Sequence, residues 1–394
     1  MKQLGRNIAE FAKKEIVLTI ALVLAVLSSF VIPPDAQYPE YIDFRTLGLL
    51  FALMAVMAGL QKIGVFTGIA RTLLGSVKSV RMLVLILVLL CFGFSMLITN
   101  DVALITFVPF TFIVLKLVGT KEVRKLAVPV VVMQTIAANL GSMLTPIGNP
   151  QNLYLYGKSG LGIGAFLGLM LPYTLVSLVL LVGWCLCRKD CVVCVKLESD
   201  MVPEADEGVA DSNTTDGKEK RRIRQLVIYL LLFAAALLTV AHVIPCGITV
   251  LLTVAVLLWM DREVLKRVDY SLLLTFVGFF VFIGNMGRVP AFNAFLQKII
   301  TGNEVMTAVL SSQVISNVPA ALLLSGFTQD YPALIVGTNL GGLGTLIASM
   351  ASLISFKYLG QEEKSSKGKY LLYFTVANLI FLVILLGLWM LLGR

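Results

Sequence analysis

Apolar runs of about 17 to 24 residues follow one another along almost the whole chain, each long enough to cross roughly 30 Å of hydrocarbon as a helix. Uninterrupted crossings are predicted at 16–33, 44–60, 163–186, 225–243, 246–260, 269–285 and 370–391. Two more, at 126–158 and 332–356, carry Gly, Pro and Asn where a helix would otherwise continue. Segments 62–78 and 286–299 mix charges with apolar residues and predict interfacial amphipathic helices. The stretches 82–115 and 303–327 each hold a small polar element near the middle of apolar sequence, the pattern of a hairpin. That pattern leaves open whether a hairpin is re-entrant or a pair of full spans. The first run, Ile16 to Ile32, lacks a small-residue cleavage site and is followed directly by Pro33-Pro34-Asp35, so a retained span is expected.

The polar interruptions come in pairs. Ser95-x3-Thr99-Asn100 returns as Ser312-x3-Ser316-Asn317, and Asn139-Leu140-Gly141-Ser142-x2-Thr145 returns, in the same order, as Asn339-Leu340-Gly341-Gly342-x2-Thr345. Matching breaks in two halves of a membrane protein point to a transporter's binding site. Non-helical backbone at membrane depth persists only where protein or a watery cavity satisfies it.

Composition agrees with the pattern. Of 394 residues, 58% are hydrophobic and 14% charged, which excludes an ordinary soluble domain. The net charge of +9 would suit nucleic acid, but its distribution suits a bilayer instead. With the N-terminus cytoplasmic, 27 of the 32 basic residues fall on inner segments, leaving Arg45, Lys158, Arg288, Lys298 and Arg394 outside. The span at 44–60 corresponds to that at 269–285, since Asp43 and Asp269 precede them and an amphipathic segment and a hairpin follow each. Counted from the start of the first to the start of the second, the chain crosses five times, an odd number, so the second half is predicted to run upside down relative to the first. The expected fold is therefore an all-α polytopic membrane protein with an inverted repeat, two hairpins and two interrupted helices. Residues 1–190 form the first repeat, 191–224 a disordered cytoplasmic linker, and 225–394 a linking span plus the second repeat. The expected place is the inner (plasma) membrane, with the C-terminus outside.

The candidate chemistry sits at the hairpin tips and the breaks. Ser, Thr and Asn supply neutral donors and acceptors, and unwound backbone can hold Na⁺ through carbonyls or an anion through N–H groups at helix N-termini. Single motifs of this kind often only join helices in lipid; repetition with order and spacing kept argues for a site. The break Asn139 to Asn152 reads NLGSMLTPIGNPQN, and its partner is the Asn339–Thr345 stretch. Asp101 is the one acidic residue deep in a predicted span. A carboxylate at mid-bilayer costs roughly 2.5–3.5 kcal/mol, so one that persists usually binds an ion or carries a proton, although capping the helix that starts at Val102 is the plainer role. Cys185, Cys187, Cys191 and Cys194 cluster beside a span end without the long loop that usually separates two zinc-ligand pairs, so free juxtamembrane thiols are expected. An intramembrane aspartyl protease would need a second embedded acid, and no enzyme activity is expected.

At these residues the chain resembles the ion transporter superfamily, which includes divalent anion–sodium symporters, citrate transporters, arsenite permeases and NhaD-type sodium–proton antiporters. The resemblance covers nearly the whole length. It implies a substrate site of Thr99, Asn100, Asp101, Asn139, Ser142, Thr145, Ser316, Asn317, Val318, Thr338, Asn339 and Thr345. It also implies coupling-ion sites formed by Ser95, Asn100, Asp101 and Gly141 in one half and by Ser312, Asn317 and Gly341 in the other. Where the dicarboxylate symporters carry Thr as the third tip residue, this chain has Asp101 and Val318, and the Asn-Asp pair is more similar to the arsenite permeases. An ionised Asp101 repels a substrate carboxylate unless a cation or proton lies between them. The expected function is ion-coupled secondary transport of a small anion or oxyanion, with a sodium–proton antiporter using Asp101 as the alternative. The expected cofactors are none beyond Na⁺ or H⁺ as coupling ion, and no other metal is expected. The expected partners are the lipid bilayer and a small-molecule or inorganic ion substrate. A homodimer is left open, and nucleic acid is excluded.

Overall fold

The computed structural model describes residues 15–74, 77, 79–118, 126–188, 215–362 and 366–393. Among them every regular element is a helix. In chain order these are α1 Ile16–Val31, α2 Tyr38–Tyr41, α3 Phe44–Lys62, α4 Val65–Leu74, α5 Val80–Ile98, α6 Asn100–Val118, α7 Ala127–Ser142, α8 Pro150–Ser159, α9 Ile163–Leu186 and α10 Thr215–Val240. They continue as α11 Cys246–Met260, α12 Arg262–Leu265, α13 Tyr270–Gly287, α14 Pro290–Ile300, α15 Glu304–Ile315, α16 Asn317–Leu324, α17 Tyr331–Leu340, α18 Met350–Glu362 and α19 Lys367–Leu392. Seven of the described helices are long and apolar enough to cross a membrane. The outer faces of these and of the shorter apolar helices are apolar: Phe30, Leu251 and Leu391 are 80%, 71% and 86% exposed. The buried interior, by contrast, holds many Asn, Ser and Thr. In water that pattern would be inside out; in lipid it follows from the absence of any penalty for exposed hydrocarbon.

Asp43 and Asp269 begin the corresponding helices α3 and α13 in the same way. Asp43 accepts from the Thr46 N–H and Asp269 from the Leu272 N–H, both at 2.9 Å. Their backbones agree too, with φ, ψ of −79°, 83° and −78°, 84°. A carboxylate at the N-cap satisfies a helix donor that has no partner within the helix. The amphipathic helices α4 and α14 follow, and after each comes a hairpin.

The two hairpins differ in length. Arms α5 and α6 have 19 residues each, about 28 Å at the helical rise, whereas α15 and α16 have 12 and 8. An eight-residue arm cannot cross the hydrocarbon layer, so the second hairpin is too short to be a pair of spans. Each broken span is likewise two helices: α7 then α8, and α17 then α18. The first member of each pair packs along its own hairpin, α7 on α5 and α17 on α15. The second member crosses over. Helix α8 packs on α16 and α17, and α18 packs on α6 and α7. Around this centre, α1 lies along α13, α10 and α11 lie along α3, and α19 lies along α7.

The predicted linker is shorter than expected. Helix α10 starts at Thr215, so residues 215–224 are helical rather than disordered. Lys, Arg and Glu are good helix formers, and the apolar run that follows lets the helix propagate back through them. Arg222 then donates to the Ile63 carbonyl at 3.1 Å. The rest of the linker, 191–214, lies outside the described residues, and with it Cys191, Cys194 and Lys196. The same holds for Lys2, Arg6, Lys13, Lys14, Lys78, Lys121, Arg124, Lys125, Lys189, Lys364 and Arg394 of the charge count.

Candidate functional site

Each hairpin turns on a residue with a left-handed backbone. Thr99 has φ 70° and ψ 150°, and Ser316 has φ 74° and ψ 156°. Neither is glycine, and such positions cost on the order of 1–3 kcal/mol, held only where surrounding structure over-determines them. What holds them is the same in both halves. The Asn100 N–H donates to the Gly148 carbonyl at 3.2 Å, and the Asn317 N–H donates to the Ala348 carbonyl at 2.9 Å. The first residue of α6 and of α16 is thereby tied to the broken span of its own half.

The helix crossings beneath the tips also match. A Cβ on Gly141 would lie 2.5 Å from Ser95 Oγ and 2.0 Å from the Phe92 carbonyl oxygen, and a Cβ on Gly341 would lie 2.5 Å from Ser312 Oγ. Any larger residue would push broken span and hairpin apart. Ser95 and Ser312 are fully buried and donate to carbonyls of their own helices, Phe92 and Ala308. Their lone pairs still face the crossing. Thr145 donates to the Met96 carbonyl, and Thr345 donates to the Gln313 carbonyl at 3.3 Å.

The halves then meet through amides. Asn139 Oδ1 accepts from Asn100 Nδ2 and from Ser349 Oγ, both at 3.0 Å, while its Nδ2 donates to Ser352 Oγ at 3.4 Å. In the other half Asn339 Nδ2 donates to Asn152 Oδ1 at 2.6 Å, and Asn149 Nδ2 reaches Asn339 Oδ1 at 3.5 Å. Ser349 and Ser352 follow Asn149 and Asn152 by the same 200 residues that separate Asn339 from Asn139. The exchange is reciprocal: the Asn ending the first helix of each broken span bonds to the start of the second helix in the other.

Not every residue predicted for the site joins this centre. Thr338 returns its hydroxyl to the Leu334 carbonyl at 2.7 Å within its own helix, and Ser142 does the same with the Asn139 carbonyl at 2.9 Å. Val318 is buried and brings no polar side chain. Asp101 lies in the first turn of α6, its N–H held by Asn100 Oδ1 at 3.0 Å, and no described residue pairs with its carboxylate. It is therefore not a side-chain cap, though a negative charge in a first turn is favoured by the helix dipole.

Several residues in the centre were not among the predicted ones. Asn149, Asn152, Ser349 and Ser352 form the cross-half bonds. Gln313 clamps the second break, with Nε2 on the Gly341 and Leu343 carbonyls at 3.1 and 2.9 Å and Oε1 receiving the Thr345 N–H at 2.9 Å. Asn152 clamps the first, donating to the Ser142 and Thr145 carbonyls at 3.3 and 3.2 Å. Gln151, 1% exposed, has no partner for either amide atom, and Asn149 Oδ1 has none either. Each such atom costs about 1–3 kcal/mol. The signal for these residues was their position inside or beside the repeated words.

Among the described residues no Lys or Arg is buried. An anion held here would rely on N–H groups at the starts of α6 and α16 and on a cation bound with it. The apolar pocket lined by Leu73, Ile86, Leu90, Phe94 and Leu97, between α4 and α5, lacks such groups and is not the site.

A family model described as citrate transporter matches residues 8–331. The chain is 31% identical over 348 residues to the inner membrane protein YbiR of Escherichia coli, covering 86% of each. It is 30% identical over 367 residues to the transporter MJ0456 of Methanocaldococcus jannaschii, covering 93% of this chain and 94% of that one. Over 148 residues, 38% of this chain and 29% of the relative, it is 34% identical to the silicon efflux transporter LSI3 of rice, Oryza sativa.

Proposed function

The chain belongs to the citrate transporter family of the ion transporter superfamily, and from that premise we propose that it is an ion-coupled secondary transporter of a small anion or oxyanion. It works by alternating access, with inverted halves, the N-terminus cytoplasmic and the C-terminus outside. The observation that carries this reading is the pair of strained tips, Thr99 and Ser316, each handing an Asn N–H to the broken span beside it. Strain of that kind is retained where it serves a site.

In this reading Thr99, Asn100, Asn139, Thr145, Ser316, Asn317, Asn339 and Thr345 contact the substrate. The crossings at Ser95–Gly141 and Ser312–Gly341, with Asp101, hold Na⁺ or take up H⁺. Moving one hairpin with its broken span against the other must break and remake the Asn139 and Asn339 bonds. These are neutral side-chain bonds, worth on average roughly 0.6 kcal/mol each in a membrane, so their exchange is not a large barrier. A second reading, a sodium–proton antiporter, is favoured by one observation: the Asp101 carboxylate has no described partner and is free to titrate.

Uptake into proteoliposomes, scanned over citrate, succinate, sulfate, arsenite and Na⁺/H⁺ exchange, tests both. Asn100→Ala and Asn317→Ala should each lower uptake more than tenfold while the purified protein keeps its size-exclusion profile. Near-normal uptake by both mutants would place the site elsewhere and leave the tips as helix joints.

A further inference from the structure

Among the described residues of the centre, Gln151 is the one amide with neither side-chain polar atom met. It is 1% exposed, and neither Nε2 nor Oε1 meets a hydrogen-bond partner. Two residues away, Asn149 is 3% exposed with Oδ1 unmet, and its Nδ2 reaches no closer than 3.5 Å to Asn339. Between them stands only Pro150, the first residue of α8. Buried amides with both atoms unpaired are rare in folded proteins and call for a partner from outside the protein's own side chains.

The other half shows that the fold has no use for this amide. At the same 200-residue separation Asn149 corresponds to Ser349, Asn152 to Ser352, and Gln151 to Ala351. Ser349 and Ser352 are bonded to Asn139, as Asn152 is to Asn339, whereas Ala351 carries no polar group. The site is therefore polar on both sides of the centre but lopsided, with one additional amide on the α8 side.

We propose that Gln151, with Asn149 Oδ1, is a specificity-determining residue that recognises a hydroxyl group on the transported substrate; the proposal rests on the transporter reading above. The chemistry follows from the atoms. Gln151 Oε1 and Asn149 Oδ1 can only accept, and Gln151 Nε2 can only donate. A fully deprotonated carboxylate or sulfate offers acceptors alone, and would confront two carbonyl oxygens with no described Lys or Arg buried to offset the repulsion. A ligand that carries an O–H beside an acceptor oxygen, such as a hydroxycarboxylate or a protonated inorganic oxyacid, can donate to an amide oxygen and accept from Gln151 Nε2. Sites that pair a buried polar group with a substrate hydroxyl reject the analogue that lacks it, because that group is then left unmet.

Matched probes test this in proteoliposomes: citrate against tricarballylate, malate against succinate, and arsenite at neutral pH against sulfate. Wild-type protein should prefer the hydroxyl-bearing member of whichever pair it carries. Gln151→Leu should reduce that preference by about tenfold, the worth of one lost hydrogen bond, and should melt in detergent no lower than wild type, since an unmet amide has been replaced by hydrocarbon. Gln151→Asn, which keeps the amide, should restore part of the preference. An unchanged preference in Gln151→Leu, or a markedly lower melting temperature in it, overturns the proposal, the second because it would reveal a structural partner. Uptake of none of the probes by wild type, including Na⁺/H⁺ exchange, would instead overturn the transporter reading and this inference with it.

Discussion

Thr99 and Ser316 occupy a backbone region that residues with a Cβ avoid, and each stands one position before an asparagine whose N–H leaves its own hairpin. The conformation turns the next peptide toward the broken span, so the strain and the contact are one feature. Asp101 comes directly after the first of these asparagines and has no counterpart charge, since Val318 holds the equivalent place. If Asp101 takes up the coupling ion, its charge is neutralised once per cycle, because an unpaired carboxylate is costly at this depth. Asp101→Asn keeps shape and hydrogen bonding but removes the charge. Uptake by this mutant should lose its dependence on the Na⁺ or pH gradient, or stop, while substrate still raises the melting temperature in detergent. Wild-type ion dependence in the mutant would reduce Asp101 to a first-turn charge, worth about 0.3–1 kcal/mol to α6.

At the scale of elements, a broken span must satisfy the carbonyls and N–H groups that its missing turns release, because no water in the hydrocarbon will do so. The halves solve this differently. In the second, Gln313 reaches across from the hairpin to two carbonyls and one N–H, and Gly344 must be glycine there, with φ 109° and a Cβ position only 2.3 Å from Gln313 Oε1. In the first, Met96 stands where Gln313 would be, and Asn152 performs the clamp from within the span itself. Gln313→Leu should therefore lower stability by on the order of 2 kcal/mol, read as a fall of several degrees in melting temperature. The conservative Met, although it copies Met96, should do no better, because no residue in the second half replaces Asn152: the equivalent is Ser352, already turned to Asn139. Full stability in both mutants would mean that water or lipid headgroups serve the break.

For the whole molecule, the crossing of α8 onto α16 and α17, and of α18 onto α6 and α7, joins the halves through buried amides rather than through a flat interface. Such an exchange is what a two-fold relation between halves produces, and with charge asymmetry it argues for opposite orientations in the bilayer. In a cysteine-free background, a thiol placed at Arg221, exposed at the start of α10, should react only from the cytoplasm, and one at Thr301, exposed after α14, only from outside. Labelling of both positions from the same side would overturn the inverted arrangement.

The order of apolar runs was enough to read an all-helical membrane protein with two hairpins and two broken spans, because in lipid the need to pair every backbone group leaves little choice of element. The Asp before each corresponding span, Asp43 and Asp269, and the tip words around Thr99 and Ser316 were legible for the same local reason: they act on residues within a few positions of themselves. What acts across the chain was not legible. Nothing local tells Asn152 that it meets Asn339, Asn139 that it meets Ser349 and Ser352, or Gln313 that it must hold Gly341, Leu343 and Thr345. Nor could spacing separate Thr338, bonded within its own helix, from Asn339 beside it, or show that Gln151 is buried with no partner. Hydrophobic period and turn chemistry are properties of neighbouring residues, and they determine elements. Which polar side chains meet is decided only when two helices from different halves pack, since that packing alone removes water and makes each amide find another.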